Sequence, residues 1–259
     1  MNEADNSRQE LVTVAKNICR AAITSQIPTR LFGAIGFWHV SEAVRDLEIF
    51  NAHRSLDIDF IAKCADPEKI IGIFKNHDFV HQSTDFVSDH YFLSFLREVP
   101  RCTAHVYCIS KYLRIRHSLV IDWSDTFDEF CLGCTGLLLT KLAINNMRDD
   151  DMRDCCMLLV AAGSGGIVIN PDQIAIQCRA GWLSWRLMEE VNRNLQRLDD
   201  YVRNSLHLEE YNDTVVSIIN LLQESINSQK PSEIWRFCSL IDRLFIHRRL
   251  NTVFESEVL

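Results

Sequence analysis

Two carboxylates two residues apart, Asp57 and Asp59, form the pattern in this chain best suited to chemistry. They are set among Leu56, Ile58, Phe60 and Ile61, an apolar frame that predicts a strand over 56–61. Residues two apart on a strand point to one face, so the two carboxylates project side by side from a sheet that is otherwise buried. Neighbouring carboxylates repel unless a cation lies between them. A hard divalent ion, Mg²⁺ or Mn²⁺, is the natural occupant. Upstream, Gly33 and Gly36 lie in the run from Arg30 to Phe37, where they flank an expected strand-to-helix turn. Backbone N–H groups in such a turn can face a phosphate. An Asp-x-Asp pair also occurs on ordinary surface strands, so the weight rests on the glycine turn and the pair together.

The elements that must hold these residues follow from periodicity. Leu11, Val14, Ala15, Ile18 and Ala22 recur at helical spacing and predict an amphipathic first helix over 8–25. A first strand is expected over 27–32, a helix over 34–50 and the carboxylate strand over 56–61. Asp66 before Pro67 reads as an N-cap with proline at N1, opening a helix to about 76. Residues 79–82, 91–96, 103–109 and 113–121 are strand-like. From Thr135, a candidate cap, the pattern turns helical through 144. A charged turn, 148–151, leads to a helix over 152–162. The run from Ala162 to Gly166 reads as a flexible connector, since no Lys-Ser or Lys-Thr follows to make it a phosphate loop. Residues 171–178, 183–206, 210–226 and 231–250 read as helix, with Pro231, Ser232 and Glu233 marking a start. The expected fold class is α+β: a mixed sheet with flanking helices over 1–162, a linker over 163–170, and a helical bundle over 171–259.

Composition narrows the function classes. Apolar content of 47 %, with only nine Gly and five Pro, supplies a real core and argues against disorder. A net charge of −8 gives no global basic footprint for nucleic acid, so such a substrate would need a local patch. The acidic, polar start shows no secretory pattern. No run reaches the ~18 apolar residues of a membrane span. Ten cysteines without two paired Cys-x-x-Cys motifs point to reduced, mostly buried thiols in a cytoplasmic chain, not to a zinc cage.

Taken in order, the motifs resemble nucleotidyltransferase-like proteins of the abortive-infection toxin type. The run from Arg30 to Phe37 looks like their glycine turn, and Asp57-Ile58-Asp59 like their metal pair. Leu137 to Ile144, with Lys141, is similar to their leucine-rich helix with one lysine. Asp151 to Asp154 followed by Cys155, Cys156, Met157, Leu158 and Leu159 is similar to the element after it. Gly181-Trp182 and Asn194-Leu195 look like the family's tail. The resemblance implies a nucleotidyltransferase-like sheet and transfer of a nucleoside monophosphate from a nucleoside triphosphate. The acceptor would be RNA, a protein or a small molecule. It implies Mg²⁺ or Mn²⁺ on Asp57 and Asp59, and N–H groups at Gly33 and Ala34 facing the outer phosphates. Lys141 would be a charge aimed at the triphosphate, Asp154 a partner for Lys141 or Arg153, and Arg54 a phosphate contact or a surface residue. A toxin-like role and a neutralising partner protein would follow; no membrane partner would.

Two departures matter. Ala34 stands where the family has glycine or serine. His105 stands where it has a third acid, on the strand reading Thr103-Ala104-His105. A neutral imidazole is a poor Mg²⁺ ligand and an acceptable Mn²⁺ or Zn²⁺ one. It is also a base for an acceptor hydroxyl, or an ordinary strand histidine in a site without turnover. Asp85, Asp89 and Asp122 are nearby acids in sequence and stand as candidate substitutes. Three functions compete: a metal-dependent nucleotidyltransferase, a catalytically degenerate nucleotide-binding protein of the same fold, and an interaction module using the helical region. Arg186, Arg193, Arg197 and Arg203 alternate with Glu189, Glu190 and Asp199, as on a solvated helix face. Arg243, His247, Arg248 and Arg249 make a small basic patch.

Overall fold

The computed structural model describes residues 3–45, 47, 57–87, 90–110, 112–114, 117–179 and 184–228. Arg54, Asp89, the Gly181-Trp182 pair, the helix expected over 231–250 and the basic patch at 243–249 lie outside the described residues. The chain is mixed α and β. Helix α1 (Glu3–Thr24) leads into β1 (Thr29–Phe32), α2 (Gly33–Val40) and β2 (Asp57–Lys63). Helix α3 (Pro67–Lys75) precedes β3 (Val80–Val87), β4 (His90–Glu98) and β5 (Arg101–Ile109). A small pair, β6 (Tyr112–Arg114) and β7 (Ser118–Val120), follows. The described elements after these are helical: α4 (Cys134–Leu142), α5 (Asp149–Gly163), α6 (Pro171–Gln177), α7 (Ser184–Asn204), a 3₁₀ turn (Leu206–Tyr211) and α8 (Asn212–Ser228).

The sheet runs β1-β2-β5-β4-β3. Strands β2 and β5 are parallel and the other neighbours antiparallel, so the sheet is mixed. Alternation along the strands gives it two unlike faces. Ile58, Phe60, Leu93, Phe95, Ala104 and Val106 are fully buried. Phe74 of α3 seals that face, stacked on Phe95 at 4.2 Å and edge-on to Phe60 at 5.5 Å. The opposite face carries Asp57, Asp59, Thr103, His105, Phe92 and Ser94, none of them fully buried. At its β1–β2 end this face is covered by α2. The outer edge of β1 is occupied too: the Leu31 N–H donates to the Phe130 carbonyl at 2.8 Å, and the Leu132 N–H to the Leu31 carbonyl at 3.0 Å.

Helix starts follow the local chemistry. The Asp66 carboxylate accepts from the Glu68 N–H at 3.2 Å with Pro67 at the first position, as expected. The Asn170 side chain accepts from the Asp172 and Gln173 N–H groups ahead of α6. Three expectations are corrected. Thr135 does not cap α4: the helix starts one residue earlier, and the Thr135 hydroxyl accepts from the Asn170 N–H at 2.9 Å. Asp125 takes the capping place, its carboxylate packed so closely on Gly133 that no β-carbon fits there. The acidic residues at 149–151 are the first turn of α5, not a turn before it, where the helix dipole favours negative charge. The segment 113–121 is a hairpin of two short strands, Arg114 pairing with Ser118; alternation is the same for one strand or two folded arms.

The later helices close over α4 and α5. Asn194 of α7 donates to the carbonyls of Leu142 and Ile144 at 2.9 and 2.7 Å, and Arg197 to that of Met147 at 2.9 Å. These are the orphan acceptors at the end of a helix and the loop after it. No helix among the described residues is long and apolar enough to cross a membrane.

Candidate nucleotide site

The register builds the site. Phe32, the last residue of β1, pairs with Asp59, so the chain leaves the sheet beside that carboxylate. Gly33 makes the turn with φ +65°, a left-handed conformation that costs other residues ~1–2 kcal/mol. A β-carbon at Gly33 would lie 2.8 Å from Asp59 Cγ and closer still to its oxygen. The glycine is therefore required twice, by its backbone and by its neighbour. Helix α2 begins at once, and its N-cap residue, Phe32, makes no side-chain cap bond. Its first-turn N–H groups open next to the carboxylate pair. Gly36 plays a different part from the one expected. It lies inside α2, packed against Leu137 and Cys131, and serves helix packing. Ala34 is half-buried in the first turn.

Asp57 is exposed and Asp59 partly buried on the same face. Burial pushes the Asp59 carboxyl up to about 7, helped by the charges of Asp57 and Asp154 and opposed by Lys141. Those influences place Lys141 and Asp154 within electrostatic reach of Asp59. Lys141 Nζ lies 2.6 Å from Asp151 Oδ1 and 2.9 Å from Asp154 Oδ2, 5.8 Å above the Phe37 ring. Asp154 thus takes Lys141, while Arg153 pairs with Asp150 at 2.9 Å. The two carboxylates and the bonds they accept raise the Lys141 ammonium above its ordinary range against its burial. Asp151 also accepts from the Arg148 N–H at 3.0 Å. The sequence motif named it without giving it a role, although its i,i+3 spacing from Asp154 places both on one helix face. Lys141 is accordingly a buried tie between α4 and α5, its charge already matched.

His105 of β5 pairs in register with Asp59. Its ring stacks on Phe92 at 5.3 Å and 19°, and its buried Nδ1 has no hydrogen-bond partner. Burial holds the imidazole below its ordinary range, against the charge of Asp57. Tyr107, two residues along, went unmarked; burial and Asp59 push its hydroxyl well up. Of the three candidate acids, neither of the two among the described residues, Asp85 and Asp122, replaces a third carboxylate. Asp85 is on β3, with β4 and β5 between it and Asp59. Asp122 accepts from the Ser124 N–H and hydroxyl.

The donor set fits one kind of metal. No group of three or more His, Cys, Asp or Glu among the described residues is arranged to hold an ion, which argues against a closed zinc-type cage and against His105 as a third ligand. Two carboxylates do fit a Mg²⁺-type ion that takes its remaining oxygens from water and a bound phosphate. Asp151 and Asp154 contact Lys141 and Asp59 lies within its electrostatic reach, with Asp57 beside Asp59, so negative charge at the site exceeds positive and favours a cation.

No protein-family model matches the chain, and no curated protein matches it in sequence. Among solved structures it is similar to JHP933 from Helicobacter pylori, 13 % identical, covering 88 % of this chain and 95 % of that one at a TM-score of 0.41. It is also similar to a "putative nucleotidyltransferase from H. pylori", 11 % identical, covering 90 % and 100 % at a TM-score of 0.40. Both likenesses are distant in sequence and in backbone.

Proposed function

We propose that the site binds a nucleoside triphosphate with a divalent cation and transfers its nucleoside monophosphate to an acceptor hydroxyl, as a nucleotidyltransferase-like protein. One observation carries this reading: a glycine that tolerates no β-carbon sets the start of a helix directly against a carboxylate pair. N–H donors for phosphate and oxygen donors for a cation then meet at one point. Asp57 and Asp59 would hold Mg²⁺ or Mn²⁺, which supplies charge neutralisation at the α-phosphate. The turn at Gly33 and Ala34 offers N–H groups to the outer phosphates. Lys141 keeps Asp151 and Asp154 compensated and draws Asp59 toward its ionised, metal-binding form. His105 stands beside the pair as a neutral ring.

The matched charge on Lys141 and the imidazole in place of a third acid favour a second reading, nucleotide binding without turnover. Calorimetric titration with each of the four ribonucleoside triphosphates, with and without Mg²⁺ or Mn²⁺, tests the shared part. Metal-dependent binding that Asp59→Asn abolishes is expected. Equal affinity in that variant, or no binding by the native chain, would remove the site. Release of pyrophosphate then separates turnover from binding alone.

A further inference from the structure

The sheet gives the proposed reaction a direction. The turn at Gly33 and the start of α2 lie on the β1 side of Asp59, while β5, β4 and β3 extend on the other. In an in-line displacement the attacking and leaving oxygens lie on opposite sides of phosphorus. A triphosphate whose outer phosphates face the glycine turn therefore receives its acceptor from over β5 and β4. There the face shared with the carboxylate pair is partly open: Thr103, His105, Phe92 and Ser94 are half-buried, and Asp85 at its far side is exposed.

Resting on the nucleotidyl-transfer reading, we propose that this open face docks the acceptor, and that the acceptor is a basic protein segment presenting a hydroxyl side chain, not a nucleic acid. Charge decides between the two. On β3, β4 and β5 the described residues of this face include one cation, Arg101, which stands opposite Glu98 across the β4–β5 turn. The exposed Asp85 borders the face on its β3 side, on a chain of net charge −8. A polynucleotide brings a phosphate with every residue and needs lysines or arginines along its track. A lysine- or arginine-bearing segment instead meets Asp85, which lies clear of the metal-binding pair, and the Phe92 ring, on which a cation can rest. Phe92 sits edge-on to Tyr107 at 5.0 Å and stacked on His105, forming an apolar floor between the acids. Ser94 and Thr103 supply hydrogen-bonding groups beside it. In the reaction the acceptor oxygen bonds to the α-phosphorus. The bond from that phosphorus to the α–β bridging oxygen breaks, pyrophosphate leaves with the electron pair, and the hydroxyl proton passes to solvent.

The test uses the full chain, Mg²⁺ and a mixture of ribonucleoside triphosphates labelled on the α-phosphate. The acceptors are random poly(Lys,Tyr), poly(Lys,Ser) and poly(Glu,Tyr) copolymers and total transfer RNA. Label should enter the lysine copolymers several-fold faster than the others. Asp85→Lys should raise KM for poly(Lys,Tyr) several-fold while kcat changes little, a split that general loss of structure would not give. Preferential labelling of transfer RNA or poly(Glu,Tyr) overturns the inference. So does an absence of labelling in a protein that calorimetry shows to bind nucleotide and metal. If the native chain binds no nucleotide, the underlying reading falls first and this inference with it.

Discussion

Replacing Asp59 by asparagine should stabilise the protein, and by an amount that depends on pH. The native carboxyl is held up at about 7, so between about pH 4 and 7 the folded chain keeps a proton that the unfolded chain has released. Stability then falls as pH rises through that window. Each decade is worth ~1.4 kcal/mol, giving an upper bound on the order of 4 kcal/mol by pH 8. Water reaching the partly exposed carboxyl reduces this to about 2 kcal/mol. Asparagine keeps the shape and removes the charge. At ~2–4 °C per kcal/mol for a chain of this size, Asp59→Asn should melt roughly 4–8 °C higher than the native protein at pH 8. The two should converge near pH 4. Thermal melts followed by circular dichroism at half-unit pH steps, without divalent cations, measure it. A difference in Tm that is flat with pH would refute the coupling of Asp59 to burial and to Asp57. A variant less stable at pH 8 would refute it more severely.

Two other substitutions probe the same site. Gly33→Ala should destabilise by at least ~2 kcal/mol, from the left-handed backbone and the collision with Asp59, and should weaken nucleotide binding; urea unfolding and calorimetry read the two effects. Lys141→Met leaves Asp151 and Asp154 buried without their cation and should lose about 3–5 kcal/mol in urea unfolding. Adding Asp154→Asn to that variant should return part of the loss, whereas additive losses would mean the three side chains do not act as a unit.

Much of the site was legible because its signals are local. Asp57 and Asp59 share a face by strand period alone, and the strand that carries them begins within a residue of its expected start. The cap at Asp66 and Pro67 fixed α3 from two residues. What was not legible depends on packing between distant segments. That Gly33 touches Asp59 depends on the β1–β2 register, and that Gly36 serves packing depends on Leu137, about a hundred positions away. Thr135 looked like a cap because its competitor, Asp125, lies ten residues upstream. Asp154 was expected to meet Lys141 or Arg153; that Asp151 joins it on the lysine depends on how α4 packs against α5. His105 was marked for its place on the strand; its position opposite Asp59 came from a parallel pairing across more than forty residues.

The carbonyls that Asn194 and Arg197 hold have a consequence for the order of assembly. Lys141 is one residue from the end of α4, and the acceptors just beyond it are satisfied only when α7 docks, some fifty positions later. Forming that contact closes a long loop, which is slow relative to pairing β3, β4 and β5 through short turns. Docking of α7 should therefore come late in folding, so Asn194→Ala should speed unfolding while leaving the folding rate nearly unchanged, which stopped-flow measurements in urea would read.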